Sequence, residues 1–386
     1  MASETGARSE CAGDPQTDPL IDLRWMRGAF ALARRGLGNV WPNPAVGCVI
    51  VSHGRVVGRG WTQPGGRPHA ETEALRRARA AARGAAAYVS LEPCSHWGKT
   101  PPCADALIAA GVRRVVVALE DPDPRVSGAG IRRLRGAGVA VEAGLGAEEA
   151  TEINAGFLIR QRLGRPLVTL KLATSLDGHI ATGTGESHWI TGPAARAHAH
   201  RLRAEHDAVM AGTGTVLADD PQLTCRLPGL AHRSPLRVVL DRHLQISTAA
   251  HVIAKAARTP TWVLTLGGAD PARREAFLAD GAVLIDIDAD AEGRIDLAAA
   301  LQALGARGVT RLLVEGGARL AAALLHARLV DRLVWMHAPS LIGADGTPAI
   351  GAFGVARLAD APRFERISVE TVGADLLTTF RAREPA

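Results

Sequence analysis

Two α/β domains in series are what this sequence predicts, and three observations carry that reading. The chain has 386 residues, too many for one compact core at roughly 100 to 200 residues per domain. Short β-branched runs alternate with helical stretches along almost its whole length, the pattern of a mixed or parallel sheet covered on both faces. The alternation is interrupted once, by a longer helical segment that stops before Pro166.

Taken in order, residues 1–19 are small, polar and acidic and read as a disordered extension, with neither the basic nor the apolar region of a secretion signal. A first domain is expected over 20–150. It reads as a helix around Trp25–Arg35, a strand AVGCVIV, a helix from Glu71 to Arg83, a strand AAYVSLEP, a helix ADALIAAG, a strand RRVVVALE, a helix GIRRLRGAG and a strand VAVEAGL. Gly111 and Gly138 stand where helix C-caps belong. EEATEINAGFLIRQRLGRP is expected as a single helix, with 151–165 connecting the domains. A second domain over 166–386 runs through strands PLVTLKLATS, DAVMAG, LRVVLD, TWVLTL, AVLIDI, RLLVEGG and DRLVWMHAP to a terminal strand TVGADLLTTF. No repeat relates the two halves.

Composition narrows the classes. With 47% hydrophobic and 22% charged residues the chain reads as globular, and no apolar run approaches the roughly 18 residues of a membrane span, so no membrane partner is expected. Five scattered cysteines make no disulfide framework and suit a reducing, cytoplasmic setting. The net charge of +6 comes from 45 basic residues that are all Arg except Lys99, Lys171 and Lys255. They are dispersed among acids, so a nucleic-acid partner is not expected.

The first chemical signal is His69-Ala70-Glu71 opening a helix, then Pro93-Cys94 ending a strand and Pro102-Cys103 opening the next helix. One imidazole and two thiolates leave a tetrahedral zinc one open position for water, the catalytic arrangement. Glu71, two residues past the ligand, suits a proton shuttle between that water, the ring and the leaving amine. Singly, such a His or Cys is more often a core residue; the combined order argues for a hydrolytic deaminase. Cys48 reads as core, Cys225 as a loop residue and Cys11 as part of the extension.

The run PCSHWGKTPPC, with WPNPAVGCVIV upstream and DPDPRVSGAGIRRLRGAG downstream, resembles the bifunctional pyrimidine deaminase and uracil reductase of bacterial riboflavin biosynthesis. That resemblance implies a cytidine-deaminase-like three-layer α/β/α first domain, with His69, Cys94 and Cys103 as zinc ligands and Glu71 as the shuttle. It further implies that Asn43 holds the substrate at the ribose or ring edge, and that His96 and Lys99 help bind the phosphorylated pyrimidine. Asp121 matches the family in DPDP, whereas Asn is more usual where this chain has Asp123; either also suits a loop cap.

The second half has no metal cluster and no G-x-G-x-x-G after a strand. In LLVEGGARL a strand runs into Gly316-Gly317 and a helix, where bare backbone can approach a pyrophosphate; a simple turn is the alternative. KLATSLDGHIAT, GESHWITG, HRLRAEHDAVMAGTGTVLADDPQLTCR, LRVVLD and VEGGARL resemble the reductase half of the same family. The resemblance implies a dihydrofolate-reductase-like fold using NADPH, with Ala173, Trp189, Thr215, Asp219 and the Gly316-Gly317-Ala318 turn around the cofactor. It places Ser187, Arg203, Leu223, Arg226 and Glu315 at the substrate, and reductases of this fold commonly form at least a dimer. Lys171 and Asp177 read either as polar residues beside the sugar or as a strand-end salt bridge. The expectation is therefore a zinc-dependent hydrolase and NADPH-dependent oxidoreductase in one chain. A nucleic-acid deaminase, a zinc-stabilised binding module and a deaminase with a degenerate reductase half are the rivals.

Overall fold

The computed structural model describes residues 18–97, 101–121, 123 and 127–383. The first sheet contains β1 (Gly47–Ser52), β2 (Arg55–Trp61), β3 (Ala86–Val89), β4 (Arg114–Val117) and β5 (Ala140–Ala143), in the order β2-β1-β3-β4-β5. Helices α1 (Pro19–Ala33) and α5 (Ala147–Ile153) cover one face, and α2 (Ala70–Ala78), α3 (Cys103–Ala109) and α4 (Ala129–Gly136) cover the other. Alternation along β1 feeds both layers: Cys48 and Ile50 pack with Ala70 and Ala74 of α2, while Val49 and Val51 pack with Met26 and Phe30 of α1. The three-layer architecture is as expected. α1 starts at Pro19, inside the expected extension, because Asp18 accepts the Leu20 N–H as its cap.

Several boundaries differ from the sequence reading. β2 is an unexpected antiparallel strand, since Gly58 and Gly60 in RVVGRGW look like turn residues. Both are required by close packing: a Cβ at Gly58 would lie 2.3 Å from the Ala74 carbonyl oxygen, and one at Gly60 2.0 Å from that of Ala70. The helix expected from Glu71 to Arg83 is regular only to Ala78, where Arg79 adopts φ +50° and a short 3₁₀ turn follows. β3 stops at Val89, so Cys94 lies in the following loop and not at a strand end.

The expected connecting helix is two helices, α5 and α6 (Ala155–Leu163), broken at Asn154. Its Oδ1 accepts the Ala45 N–H at 2.9 Å, so a buried amide is spent across the fold and the helical register is not continued. α5 gives Ala150 and Ile153 to the first core, whereas α6 lies along the second sheet.

That second sheet has nine strands: β6 (Leu167–Thr174), β8 (Ala208–Gly212), β9 (Leu236–Leu240), β10 (Thr261–Thr265), β11 (Val283–Asp286), β12 (Arg311–Val314), β13 (Arg332–His337), β15 (Phe364–Val372) and β16 (Asp375–Ala382). Their order is β11-β10-β9-β8-β12-β6-β13-β16-β15, parallel as far as β13. A separate pair joins β7 (His179–Ala181) to β14 (Thr347–Pro348). One face carries α7 (Pro193–Glu205), α8 (Thr213–Asp219), α9 (His251–Ala254) and α10 (Pro271–Ala279); the other carries α11 (Leu297–Ala306) and α12 (Ala318–His326). TVGADLLTTF is not one strand: Gly373 at φ +67° turns it into a hairpin, pairing β15 and β16 antiparallel. Among the described residues no helix is long and apolar enough to cross a membrane.

Candidate active sites

The H-x-E segment is aimed by the β2–α2 contact described above. His69 is the N-cap residue of α2 and Glu71 sits in its first turn, 3% exposed. Cys103 is the first residue of α3, and its backbone N–H donates to Cys94 Sγ at 3.3 Å, which holds Cys94 at the helix start. His69 Nδ1 lies 3.3 Å from Cys103 Sγ and 3.7 Å from Cys94 Sγ. All three donor atoms fall within 4.8 Å of one another. A tetrahedral zinc with bonds of about 2.0 to 2.3 Å holds its ligand atoms roughly 3.5 to 4 Å apart, so this donor set fits the ion. The Cys103 thiol and then His69 favour the Cys94 thiolate against the opposing effect of burial. Burial pushes the Glu71 carboxyl up to about 7, with His69 working against it, which suits a group that must both take and give a proton.

Other expected residues gather nearby to different degrees. Asn43 packs on Gly66, three residues before His69: a Cβ on Gly66 would fall 1.8 Å from its Nδ2. His96 keeps a buried Nδ1 without a hydrogen-bond partner among the described residues. Lys99 lies outside the described residues, as does Cys11. Asp121 and Asp123 are both buried, and Asp121 accepts the Asp123 N–H at 2.9 Å as a loop cap does. Glu92, which the sequence reading passes over, is 4% exposed and accepts backbone N–H groups from Asp121, Gly128, Gly130 and Ile131. It ties Asp121, Gly128, Gly130 and Ile131 to the loop carrying Cys94; the only signal in sequence is an acid two residues before a proposed ligand.

The second site forms where β6, β12 and α7 meet. Glu315 follows β12 and receives Arg203 of α7 in a fork, Nε to Oε1 at 2.6 Å and Nη2 to Oε2 at 2.9 Å, with Lys171 Nζ 3.7 Å from Oε2. Burial alone would raise the Glu315 pKa, but Arg203 and Lys171 prevail and hold it near about 2. The fork expected to face substrate is thus engaged by Glu315, and Arg203 Nη1 also donates to the Thr224 carbonyl at 3.0 Å. That bond holds the 223–226 segment, which includes buried Leu223 at φ +52°. The Arg226 N–H meets His200 Nδ1 at 3.4 Å, bringing His200 into the group as a residue not foreseen; its spacing of three from Arg203 on one helix is the signal.

The Gly316-Gly317 turn caps α12, whose first residue is Ala318, and the Gly317 N–H donates to Thr215 Oγ1 of α8 at 3.0 Å. Thr215 and the glycine turn are therefore adjacent, with Asp219 at the end of the same short helix. Ala173 lies on β6 on the face of α7 and α8. Trp189 is 66% exposed beneath the Arg196 guanidinium, and Ser187 touches His188. Neither shares a hydrogen bond or ion pair with the Arg203–Glu315 group among the described residues. Asp177 accepts from the Ser175 hydroxyl and the Ile342 and Gly343 N–H groups, so it clamps a loop; Lys171 pairs with Glu315 and not with Asp177.

Two family models match the chain, one over each half. The family model described as the cytidine and deoxycytidylate deaminase zinc-binding region matches residues 20–119, and that of the RibD C-terminal domain matches residues 166–378. The riboflavin biosynthesis protein RibD of Escherichia coli is 43% identical over 366 residues, covering 92% of this chain and 98% of that protein. Its namesake in Mycobacterium tuberculosis is 43% identical over 353 residues, 90% of this chain and 93% of that one. Among solved structures, Acinetobacter baumannii RibD superposes with a TM-score of 0.85 at 38% identity, covering 95% of this chain and 100% of the other. A diaminohydroxyphosphoribosylaminopyrimidine deaminase/5-amino-6-(5-phosphoribosylamino)uracil reductase from Thermotoga maritima gives 0.83 at 34% identity, covering 95% and 99%.

Proposed function

The chain belongs to the RibD family of riboflavin biosynthesis proteins, and from that premise we propose the following pair of reactions for it. The 2-amino group of 2,5-diamino-6-ribosylamino-4(3H)-pyrimidinone 5′-phosphate is removed hydrolytically, and the ribosyl side chain is then reduced with NADPH to give 5-amino-6-ribitylamino-uracil 5′-phosphate. Residues 20–150 form the deaminase domain and 166–386 the reductase domain, joined by 151–165. The observation that carries the reading is the convergence of His69, Cys94 and Cys103 beside a buried Glu71, on a chain whose second half matches the reductase.

In the first reaction His69, Cys94 and Cys103 would hold zinc. When bound, zinc supplies a Lewis acid that makes water nucleophilic near neutral pH. Glu71 takes one proton from the attacking water and gives it to the ring nitrogen, then takes the remaining proton of the added hydroxyl and gives it to the departing amine; its raised pKa keeps both forms accessible. Asn43, His96, Lys99 and Asp121 are assigned to the substrate. In the second reaction NADPH supplies the hydride. Ala173, Trp189, Thr215, Asp219 and Gly316-Gly317-Ala318 are assigned to it, the glycine turn at the α12 N-terminus suiting a phosphate. Ser187, Arg203, Leu223, Arg226 and Glu315 are assigned to the sugar phosphate, with Lys171 and Asp177 as further polar groups. Because the Arg203 fork is held by Glu315, its role is to set the position of Glu315 and of the 223–226 segment at least as much as to reach the phosphate.

We place the enzyme in the cytoplasm, which agrees with the four described cysteines all being free. We also read it as at least a dimer; the edge strand β15 leaves Ile367 and Val369 exposed for a second copy. The test is to incubate purified protein with the diamino substrate, with and without NADPH, and identify the products by mass spectrometry. The expected result is the deaminated ribosyl compound without NADPH and the ribityl compound with it; unchanged substrate in both would overturn the reading.

A further inference from the structure

Both sites described above leave the far side of the nine-stranded sheet unused. Glu315 follows the C-terminal end of β12, which runs parallel to β6, and β13 runs parallel to β6 as well. At the opposite, N-terminal ends of β6 and β13 lies a cavity of about 460 Å³. That volume is within the roughly 300 to 1,000 Å³ of small-molecule sites. Its floor is apolar, contributed by Leu163 from the end of α6, Leu325 from α12, and Val330, Pro362 and Phe364. Arginine dominates the rest of the lining: seven of them line the cavity, against one carboxylate, Asp331.

The single acid is already neutralised. Both Asp331 oxygens are engaged by Arg165, at 2.7 and 2.9 Å, and one also accepts the Val168 N–H. Arg332 turns to Glu152. Arg328 touches only the Asp360 carbonyl oxygen, at 3.4 Å, and the side chains of Arg363, Arg381 and Arg383 have no hydrogen bond or ion pair among the described residues. All four are exposed. Elsewhere the chain pairs many surface arginines, as in Arg274 with Asp286, Arg133 with Asp105 and Arg357 with Asp360. Four uncompensated guanidiniums around one concavity repel each other and raise the local anion concentration. Their planar forks match the oxygens of phosphate, and the apolar floor below gives a flat body something to cover.

We propose that this cavity is a second anion site, outside both catalytic centres, that takes a phosphorylated small molecule of nucleotide size, its phosphate on the arginines and its ring on Phe364 and Leu163. A continuous single strand of nucleic acid is the poorer fit, since Phe364 is the one aromatic side chain in the lining and no stacking series exists for successive bases.

The experiment is calorimetric titration of the full chain with AMP, adenosine and pyrophosphate, repeated on Arg363→Glu/Arg381→Glu. AMP is expected to bind at least tenfold more tightly than adenosine, and to weaken as salt is raised. The charge reversal is expected to lower AMP affinity more than tenfold while ammonia release and NADPH oxidation stay at the wild-type rate. Arg328→Ser/Arg383→Ser, which removes charge without reversing it, is expected to act in the same direction and guards against misfolding of the first variant. The proposal is overturned if AMP fails to bind, if both variants bind it as the wild type does, or if the substitutions change the oligomeric state, which would make the cavity a contact between copies.

Discussion

At the scale of single residues the deaminase site makes sharp demands. Cys94 and Cys103 are held against His69 by one backbone hydrogen bond and their own donor atoms. Cys94→Ser and Cys103→Ser should each lower zinc content well below one ion per chain, measured by atomic absorption; two variants that kept full zinc and full ammonia release would remove these residues from the ligand set. Glu71→Gln should retain zinc yet lose deamination by at least roughly a hundredfold, because general acid–base catalysis contributes about 10² to 10⁴. Glu92 tests support and not chemistry. Its carboxylate takes four backbone N–H groups, so Glu92→Ala strands several buried donors and should cost about 3 kcal/mol or more by denaturant unfolding. Ammonia release should fall with it, since those donors belong to the segment packed beside Cys94.

At the scale of elements, the sequence shows what is periodic or chemically distinctive and hides what depends on a partner. Strands such as LRVVL and RLLV are legible because both faces are buried and each run is apolar apart from one arginine. β2 is hidden because its glycines are chosen by α2, and β15 because a mostly exposed edge strand carries polar residues that look like loop. The proposed zinc ligands are legible since their types are rare and their order is specific. Glu92 is not, because its partners are backbone amides brought together only by folding, and the engagement of Arg203 by Glu315 is equally invisible until α7 is set against β12. That junction yields a test. Arg203→Lys keeps the charge but not the fork, so Glu315 loses a bidentate partner. Reductase efficiency should fall more than about tenfold, a hydrogen bond to a charged group being worth about 1.5 to 3 kcal/mol, while ammonia release stays within twofold. Equal loss of both activities would mean the two sites are not independent.

At the scale of the whole molecule, one buried imidazole couples stability to pH. His206 ends α7, sits 2.9 Å from Thr169 Oγ1 and 2.7 Å from the Leu202 carbonyl oxygen, and is 3% exposed. Burial lowers its pKa from 6.5 to about 4. Between those values the unfolded chain binds more protons than the folded one, so this contribution is fully present above about 6.5 and is lost as pH falls toward 4. At 1.36 kcal/mol per unit it amounts to about 3 kcal/mol. His206→Gln, which keeps polar atoms but cannot charge, should narrow the difference in urea midpoint between pH 7.5 and pH 5 relative to wild type. An unchanged difference would assign the acid sensitivity elsewhere.

The break at Asn154 also bears on how this polypeptide could be divided. Cutting between Ile153 and Asn154 leaves the Ala45 N–H without the amide that caps it, because Asn154 departs with the second fragment. Cutting after α6 takes away the helix that Gly156 fits against the Thr310 carbonyl and that Arg160 ties to the Gly305 carbonyl. Arg311 adds two bonds that cross either cut, to the carbonyls of Glu152 and Ile153. A gene split into two open reading frames at this joint should therefore give halves that are poorly soluble apart and regain activity when expressed together, so a lineage that separated the two enzymes must first have rebuilt the surfaces that α6 now covers.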